Sequence, residues 1–201
     1  MTRRRSSYRS LASLQRDLSV CRACVEAGYP LESWPVRNTH TGQRAYMYGQ
    51  APGIVEGEER RPWRGRAGKT LRRWLQLDEE EFYATFYCAS VTRCYPGRAS
   101  GRGDRTPTPR EQKLCSFWRT WELEILRPEL IVPVGGLAIK RLLGLSGLAS
   151  CIGRRYELDG ATVIPLPHPS GASSWLNLPA NRELTARAAD LIRDTVARFQ
   201  G

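Results

Sequence analysis

The segment that decides the fold is Tyr46-Met-Tyr-Gly-Gln-Ala-Pro-Gly53. The three apolar residues at its start predict a buried strand that runs directly into a short loop bounded by two glycines. Gly49 and Gly53 allow a sharp turn and a close approach of the backbone to a ligand, while Pro52 stiffens the turn between them. A polar loop at the carboxyl end of a strand is where an open α/β sheet places its binding site. An ordinary strand-to-helix connection is equally compatible with these residues, so the rest of the chain must decide.

Strands and helices are predicted to alternate along the remainder of the chain. Buried strands are expected at 82–92 and 130–134, and a hairpin is expected at 155–166 around Asp159 and Gly160. Helices are expected at 11–24, 67–77, 108–126, 135–143 and 181–199. This order predicts an α/β fold, a three-layer α/β/α sandwich with a central, mostly parallel four-stranded sheet. Residues 1–201 should form a single domain, in which residues 1–10 are a flexible basic arm.

The charge of the chain points to a nucleic-acid partner. Lysine and arginine total 31 residues against 20 acidic ones, a net charge of +11 that is almost entirely arginine. Arginine binds phosphate bidentately, so a basic domain of this size is a candidate for DNA binding, although a genome-wide preference for arginine would give the same excess. No apolar run reaches membrane-spanning length, and the basic start of the chain lacks the apolar core of a secretory signal. A cytoplasmic monomer without membrane contact is therefore expected.

The spacing of four cysteines predicts a metal or cluster site. In a cytoplasmic protein six cysteines favour metal binding over disulfides. Four thiolate ligands are available from the pair Cys21 and Cys24, from Cys94 just past a strand, and from Cys115 in the first turns of a helix. Spacing alone does not distinguish zinc from a [4Fe–4S] cluster, and two unrelated pairs of free thiols are a further alternative. The two remaining cysteines are expected to be small buried residues, Cys88 and Cys151.

A second polar loop follows the predicted strand that ends at Leu166. His168 lies between Pro167 and Pro169, which fix its backbone, and a rigid histidine facing another polar loop indicates a site. Farther along, Trp175 has the character of an apolar wedge that enters a DNA duplex, although packing against the final helix would explain it as well. The other histidine, His40, is expected in an ordinary loop.

With these residues placed, the chain resembles the uracil-DNA glycosylase superfamily, and within it the family-4 iron–sulfur enzymes, from Cys21 to the last helix. Gly49-Gln-Ala-Pro-Gly53 is similar to the family's Gly-Glu-Ala-Pro-Gly motif, and Arg61-Pro-Trp-Arg-Gly-Arg-Ala-Gly68 is similar to its Arg-Pro-Phe-x-Gly-Arg-Ala-Gly segment. Arg105-Thr-Pro-Thr-Pro109, between Cys94 and Cys115, is similar to the stretch between the third and fourth cluster ligands, and His168-Pro-Ser170 is similar to the second motif.

The resemblance implies a role for each matched residue. The catalytic set would be His168, which hydrogen-bonds uracil O2 and stabilises the leaving base anion, Glu56, which orients water, and Gln50, beside the base and sugar. Trp63 would stack on the flipped uracil. The other implied base-binding positions are Gly49, Ala51, Gly53 and Ser90, and the implied DNA-binding positions are Arg66, Ser170 and Trp175. The implied ligands of a structural [4Fe–4S] cluster, or alternatively of zinc, are Cys21, Cys24, Cys94 and Cys115.

The function that the resemblance implies is that of a monofunctional DNA glycosylase. It would hydrolyse the N-glycosidic bond of uracil in DNA during base-excision repair, at the nucleoid of a bacterial or archaeal cytoplasm. Its partner would be DNA that contains a deaminated base. Two alternatives are a glycosylase for another deaminated base, such as hypoxanthine, and a non-catalytic Fe–S DNA-binding protein on the same scaffold.

Three departures from the family pattern bear on these roles. Gln50 replaces the glutamate of the first motif, and Ser90 takes the position of the asparagine that contacts the uracil edge. Residues 97–103 form an insertion. Relatives that bond covalently to uracil carry a reactive histidine in such an insertion, and this chain has none there, so that chemistry is not expected.

Overall fold

The computed structural model describes residues 2, 4–101, 103–170 and 174–199. The strands within these ranges are β1 (Ala45–Gly49), β2 (Phe86–Ser90), β3 (Leu130–Pro133), β4 (Tyr156–Leu158) and β5 (Ala161–Val163). They form one sheet in the order β2-β1-β3-β5-β4. All neighbouring strands are parallel except β4, which pairs antiparallel with β5 at the edge. The predicted α/β architecture with a mostly parallel sheet is confirmed.

The sheet has one strand more than predicted because both arms of the expected hairpin join it. β4 and β5 are connected by Asp159 and Gly160, whose φ angles are 49° and 81°. Two consecutive residues in the left-handed region make the tight hairpin turn that Asp-Gly favours. The predicted turn is therefore correct, and the first arm becomes a fifth strand at the sheet edge.

The helices are α1 (Leu11–Ser19), α2 (Ala23–Glu26), α3 (Ile54–Glu59), α4 (Arg66–Leu75), α5 (Glu79–Thr85), α6 (Pro109–Leu126), α7 (Gly136–Leu143), α8 (Leu148–Cys151) and α9 (Pro179–Ala197). The prediction of a strand from residue 82 was wrong at its start, because α5 occupies those residues. The Asp78 side chain accepts a hydrogen bond from the Glu81 N–H at 2.8 Å, and the Glu81 side chain accepts one from the Asp78 N–H at 2.8 Å, which is a complete capping box. None of the helices in the described ranges is long and apolar enough to cross a membrane.

Apolar side chains on both faces of the sheet produce the three layers. Met47 points to one face, where it packs with α4 and α9, and its neighbours Tyr46 and Tyr48 point to the other, where α1 and α6 cover them. Alternation along a strand places successive side chains on opposite faces. Each face therefore has its own buried cluster, and the strand ends remain free for loops.

Within the segment predicted to be a flexible basic arm, residues 4–8 pack against the body of the protein. Tyr8 is buried, with 6% of its surface exposed. Arg5 pairs with Asp17 of α1 at 2.8 Å, and the Arg4 guanidinium donates to the Leu114 carbonyl of α6 at 2.5 Å. Tyr8 supplies this basic segment with an aromatic side chain that is buried against the body. The charge of the segment does not indicate this contact.

Candidate active site

Loops from three neighbouring parallel strands meet at one edge of the sheet. β1 leads into Gly49–Gly53, β3 leads into Gly135, and the chain beyond β5 leads to His168. The Gly135 N–H donates to the Leu166 carbonyl at 2.8 Å and so ties the second loop to the third. This edge is the carboxyl end of the parallel strands, where the sequence predicts the site.

The Trp63 indole lies directly against the end of β1. A Cβ atom placed on Gly49 would come within 2.9 Å of ring atom Cζ2. Gly49 has no left-handed backbone angle, so glycine is needed here for close approach and not for a turn. Trp63 itself is half-buried against the core. Trp63, whose predicted role is to stack on the base, therefore lies beside the first loop.

Trp63 is held in a costly backbone conformation. Its φ angle is 58°, in the left-handed region. For a bulky residue this costs on the order of 1–3 kcal/mol, and such residues concentrate at functional sites. The Arg72 guanidinium donates to the Trp63 carbonyl at 3.0 Å. On the other side Gly68 of α4 approaches so closely that a Cβ there would lie 1.7 Å from the same oxygen.

Gly68→Ala should destabilise the protein by about 1–3 kcal/mol, because the added methyl group overlaps the Trp63 carbonyl inside a packed helix contact. Urea denaturation followed by circular dichroism measures the loss. Gly101→Ala is the matched control, since a Cβ at Gly101 meets no atom within 4 Å. Equal stabilities of the two variants would contradict this packing.

Glu56 ties the first loop to the helix that follows Trp63. Its two carboxylate oxygens accept hydrogen bonds from the Gly53 N–H at 3.1 Å and the Gly65 N–H at 2.7 Å. Glu56 is buried, with 8% of its surface exposed. A carboxylate bonded in this way at the starts of two helices stabilises both of them. The structure thus gives Glu56 a positioning role, and its predicted role in orienting water stays a prediction.

The orientation of His168 is fixed by Ser170. The Ser170 N–H donates to His168 Nδ1 at 3.3 Å, and the Ser170 hydroxyl lies 2.9 Å from the same nitrogen. In a neutral imidazole the nitrogen that accepts a hydrogen bond carries no proton, so the proton resides on Nε2. Gly135 supports the ring, because a Cβ there would lie 3.4 Å from His168 Cδ2. His168 therefore offers an N–H donor in a fixed direction.

Burial lowers the pKa of His168 from its ordinary value of 6.5, while the Glu56 carboxylate acts in the opposite direction. His168 is therefore neutral at pH 7, which is the state that leaves Nδ1 free to accept. The charge of Glu56, in the helix after the first loop, thus acts against the effect of burial on the His168 pKa.

The other predicted base-binding positions lie along the same edge. Gln50 and Ala51 are half-buried after β1, and Ser90 is the last residue of β2, in register with Gly49. The Ser90 hydroxyl donates to the Thr92 carbonyl at 2.7 Å. The Ser90 side chain can therefore only accept a hydrogen bond from a group bound at this end of the sheet, whereas an asparagine side chain could also donate one.

The predicted DNA-binding residues have three different environments. Arg66 is exposed at the first position of α4, while Ser170 supports His168. Trp175 is half-buried, packs against the core, and accepts a hydrogen bond from Asn181 of α9 at 2.8 Å through its carbonyl. Trp175 thus contacts the core and α9, and its predicted role in DNA binding stays a prediction. The intervening residues 171–173 lie outside the described ranges.

Two residues at this edge were missed from the sequence. Gly135, with a φ of 89°, supports His168. The only sequence signal at this position is that Gly135 is the first of two consecutive glycines. Asp104 places a carboxylate oxygen 3.3 Å from the position that a Cβ on Gly53 would occupy. No local pattern shows the second contact, since it depends on how residues 97–105 fold back.

The four predicted cysteine ligands line one cavity between α2, α6 and the segment after β2. Its lining includes Cys21, Cys24, Cys94 and Cys115. Burial raises the pKa of Cys24 to about 11 and that of Cys115 to about 12, and neighbouring thiols act in the same direction. Within the described ranges no three His, Cys, Asp or Glu side chains converge closely enough to hold one metal ion. The other two cysteines, Cys88 and Cys151, are buried as predicted, each 1% exposed.

A buried ion pair fixes the backbone beside this cavity. Arg93 and Glu122 are 1% and 0% exposed at their side chains and are paired. Tyr46 and Tyr87 from the sheet donate to the Glu122 carboxylate at 2.7 Å and 3.1 Å. The Arg93 N–H donates to the Cys115 sulfur at 3.3 Å. The sheet, α6 and the segment that carries Cys94 are therefore held in one arrangement.

Comparison with known proteins finds uracil-DNA glycosylases of types 4 and 5 and a phage DNA polymerase among the similar proteins. A type-4 uracil-DNA glycosylase of Thermotoga maritima is 32% identical over 130 residues, which are 63% of this chain and 65% of that protein. A DNA polymerase of Bacillus phage SP01 is 28% identical over 130 residues, which are 63% of this chain and 13% of the polymerase. The chain thus spans less than two thirds of both proteins. A type-4 uracil-DNA glycosylase of Archaeoglobus fulgidus is 28% identical over 173 residues, 80% of this chain and 82% of that protein.

The family model for the Uracil DNA glycosylase superfamily matches residues 38–192. This range contains the whole sheet, the loops that carry Gly49, Trp63 and His168, and most of α9. Since the match includes every element that builds the site, this chain belongs to the uracil-DNA glycosylase superfamily.

Proposed function

We propose that this protein is a monofunctional DNA glycosylase that hydrolyses the N-glycosidic bond of uracil in DNA, with water as the nucleophile. The observation that carries the proposal is an aromatic floor, Trp63 against Gly49, on the same sheet edge as a fixed donor, His168 with its proton on Nε2. The type-4 uracil-DNA glycosylases among the relatives support the choice of uracil.

The first task of such an enzyme is to reach a base that is stacked inside DNA. Extruding the nucleotide costs roughly a few kcal/mol. Stacking of the base on Trp63 would offset about 1–3 kcal/mol of the cost of extrusion. Because the Trp63 backbone is already held by Arg72 and Gly68, the floor is formed before DNA arrives, and little ordering is needed on binding.

The second task is to stabilise the base as it leaves. When the bond between the sugar C1′ and base N1 breaks, the electron pair stays on the base, and negative charge develops at uracil O2. The Nε2–H of His168 would donate to that oxygen. A neutral histidine whose direction is fixed by Ser170 is a preorganised donor of the kind that stabilises developing anions.

The third task is to favour the cationic sugar and guide water to it. Glu56 carries a negative charge at the start of α3, close enough to influence His168. Its charge would favour the oxocarbenium-like sugar, although both of its oxygens also accept backbone hydrogen bonds. Gln50, in the first loop, would contact the sugar or base without adding charge.

We also propose that Cys21, Cys24, Cys94 and Cys115 hold a [4Fe–4S] cluster. The four thiols line one cavity, and in such a cluster each thiolate binds a different iron, so the sulfurs need not converge on one point. A single tetrahedral zinc ion would need all four sulfurs at about 2.3 Å from the metal. When bound, the cluster would link α2, α6 and the segment after β2 and would supply no step of the hydrolysis.

The base preference is open to one specific alternative. Ser90 lacks the donor and acceptor that the family's asparagine presents to the base. Gln50 is uncharged where the family's first motif has a glutamate. Both differences favour testing hypoxanthine as a substrate beside uracil. Oligonucleotides with one uracil, hypoxanthine or unmodified cytosine, in single and double strands, would separate the possibilities. The proposal predicts excision of uracil in preference to the other two. Faster excision of hypoxanthine would favour the alternative, and tight DNA binding without release of any base would favour a non-catalytic protein.

A further inference from the structure

The insertion between Cys94 and α6 folds as a short hairpin. Arg98 and Asp104 form an antiparallel bridge. The Ala99 N–H donates to the Gly103 carbonyl at 3.1 Å, and the Arg105 N–H donates to the Gly97 carbonyl at 2.9 Å. Asp104 is therefore part of a paired backbone and has a defined place. Arg102 lies outside the described residues.

A bidentate ion pair anchors the end of this hairpin to α6. The two terminal nitrogens of Arg105 donate to the two Glu111 oxygens at 2.8 Å and 2.7 Å. Glu111 is buried and also accepts a hydrogen bond from the Thr108 N–H at 2.7 Å. Arg105 immediately follows Asp104, so the anchor fixes the backbone that carries the Asp104 carboxylate.

This anchoring brings Asp104 to the first loop of the candidate active site. From the position of a Cβ on Gly53, the Asp104 carboxylate oxygen is 3.3 Å away and a Glu56 carboxylate oxygen is 2.8 Å away. The two carboxylates therefore flank the same glycine. A side chain at position 53 would push them apart, so glycine there keeps both acids at one corner of the site.

The two carboxylates differ in what they are bonded to. Glu56 is buried, and each of its oxygens accepts a backbone N–H. Asp104 is exposed toward solvent, beside Tyr95, whose pKa is raised by burial and further by the Asp104 carboxylate. Of the two, Asp104 is the one that water can reach freely. Position 50, where a glutamate is expected, carries an uncharged glutamine in this chain.

We propose that Asp104 supplies the carboxylate that position 50 lacks and acts as the base for the attacking water. The inference rests on the proposed uracil-DNA glycosylase activity. After the C1′–N1 bond breaks with its electron pair on the base, the water oxygen bonds to C1′ and the Asp104 carboxylate takes one water proton. That proton returns to solvent, and the other water hydrogen remains on the sugar hydroxyl. The Asp104 carboxylate thus takes the place of the acid that Gln50 does not supply, although the two residues are far apart in the sequence.

Asp104→Asn is the first test, because it keeps the shape of the side chain and removes its charge. Single-turnover release of uracil should slow about a hundredfold, a typical contribution of a general base. Affinity for an oligonucleotide with 2′-fluoro-deoxyuridine, which resists cleavage, should change less than about twofold, because Asp104 acts on water and not on binding. Asp159→Asn, in the distant β4–β5 turn, is the control and should match the wild type.

Gln50→Glu in the Asp104→Asn background is the sharper test. Returning an acid to the first loop should recover at least about tenfold of the lost rate, which a merely structural role of Asp104 would not allow. An unchanged rate in Asp104→Asn, or a slow variant that Gln50→Glu fails to restore, would overturn the inference. Asp104→Ser replaces Asp104→Asn if circular dichroism shows that the latter does not fold. Absence of uracil release from the wild type would instead overturn the proposed function, and this inference with it.

Discussion

Replacing His168 with alanine should slow the release of uracil about a hundredfold or more under single-turnover conditions, a loss of about 3 kcal/mol in transition-state stabilisation. The substitution removes the Nε2–H that is held in direction by the Ser170 N–H at 3.3 Å. Because the donor matters most when charge develops on the base, the rate of cleavage should fall much more than the affinity for DNA. Quench-flow measurement with enzyme in excess over a uracil-containing oligonucleotide gives the rate.

His40→Ala is the matched control for this experiment, since the only other histidine lies in the loop before β1, where its ring is near Tyr87. It should leave the rate within about twofold of the wild type. Ser170→Ala should have an intermediate effect, because it removes the hydroxyl but keeps the backbone N–H that sets the tautomer. A wild-type rate in His168→Ala would remove His168 from the mechanism.

Replacing Cys115 with alanine should remove the proposed cluster and lower the free energy of unfolding by several kcal/mol, on the order of a metal-coupled folding energy. Cys115 lies at the cavity shared with the other three thiols and accepts the Arg93 N–H at 3.3 Å. Loss of one thiolate would leave the proposed cluster without one of its four ligands and would remove its link between α6 and the segment that carries Cys94, while the Arg93–Glu122 ion pair would remain. Visible absorption per protein, iron content and urea denaturation of anaerobically purified protein measure the change.

Cys151→Ala separates cluster loss from the cost of deleting a buried sulfur. Cys151 is 1% exposed, as fully buried as a core residue, but lies in α8 away from the cavity. Its variant should keep the wild-type iron content and lose only about 1 kcal/mol of stability. Equal iron content in Cys115→Ala and the wild type, or a colourless wild type that contains zinc, would contradict the cluster assignment.

The parts of the fold that follow from local pattern were predictable from the sequence. The apolar run before Gly49 predicts β1, and the alternation of strands and helices predicts the layers. Asp159 and Gly160 predict the hairpin turn, which the structure confirms. Failures came where two patterns overlap: Phe82 looks like strand by composition, but the Asp78–Glu81 capping box makes it part of α5.

The candidate site was only partly predictable, because much of it is made by contacts between distant segments. The motif residues Trp63 and His168 do lie on one edge of the sheet. The requirement for glycine at position 49 could not be assigned from sequence, since its neighbour is an indole fourteen positions later. Asp104 was missed for the same reason: its approach to Gly53 depends on the hairpin and on the anchor of Arg105 to α6.

The most direct test of the central claim is the identity of what the wild-type protein releases from DNA with a single uracil. Chromatography with mass detection should find one free uracil per oligonucleotide and an abasic strand that stays intact until it is treated with alkali. That result would establish hydrolysis of the glycosidic bond by a monofunctional enzyme. Recovery of the oligonucleotide with its uracil in place, at enzyme concentrations that saturate binding, would contradict the account.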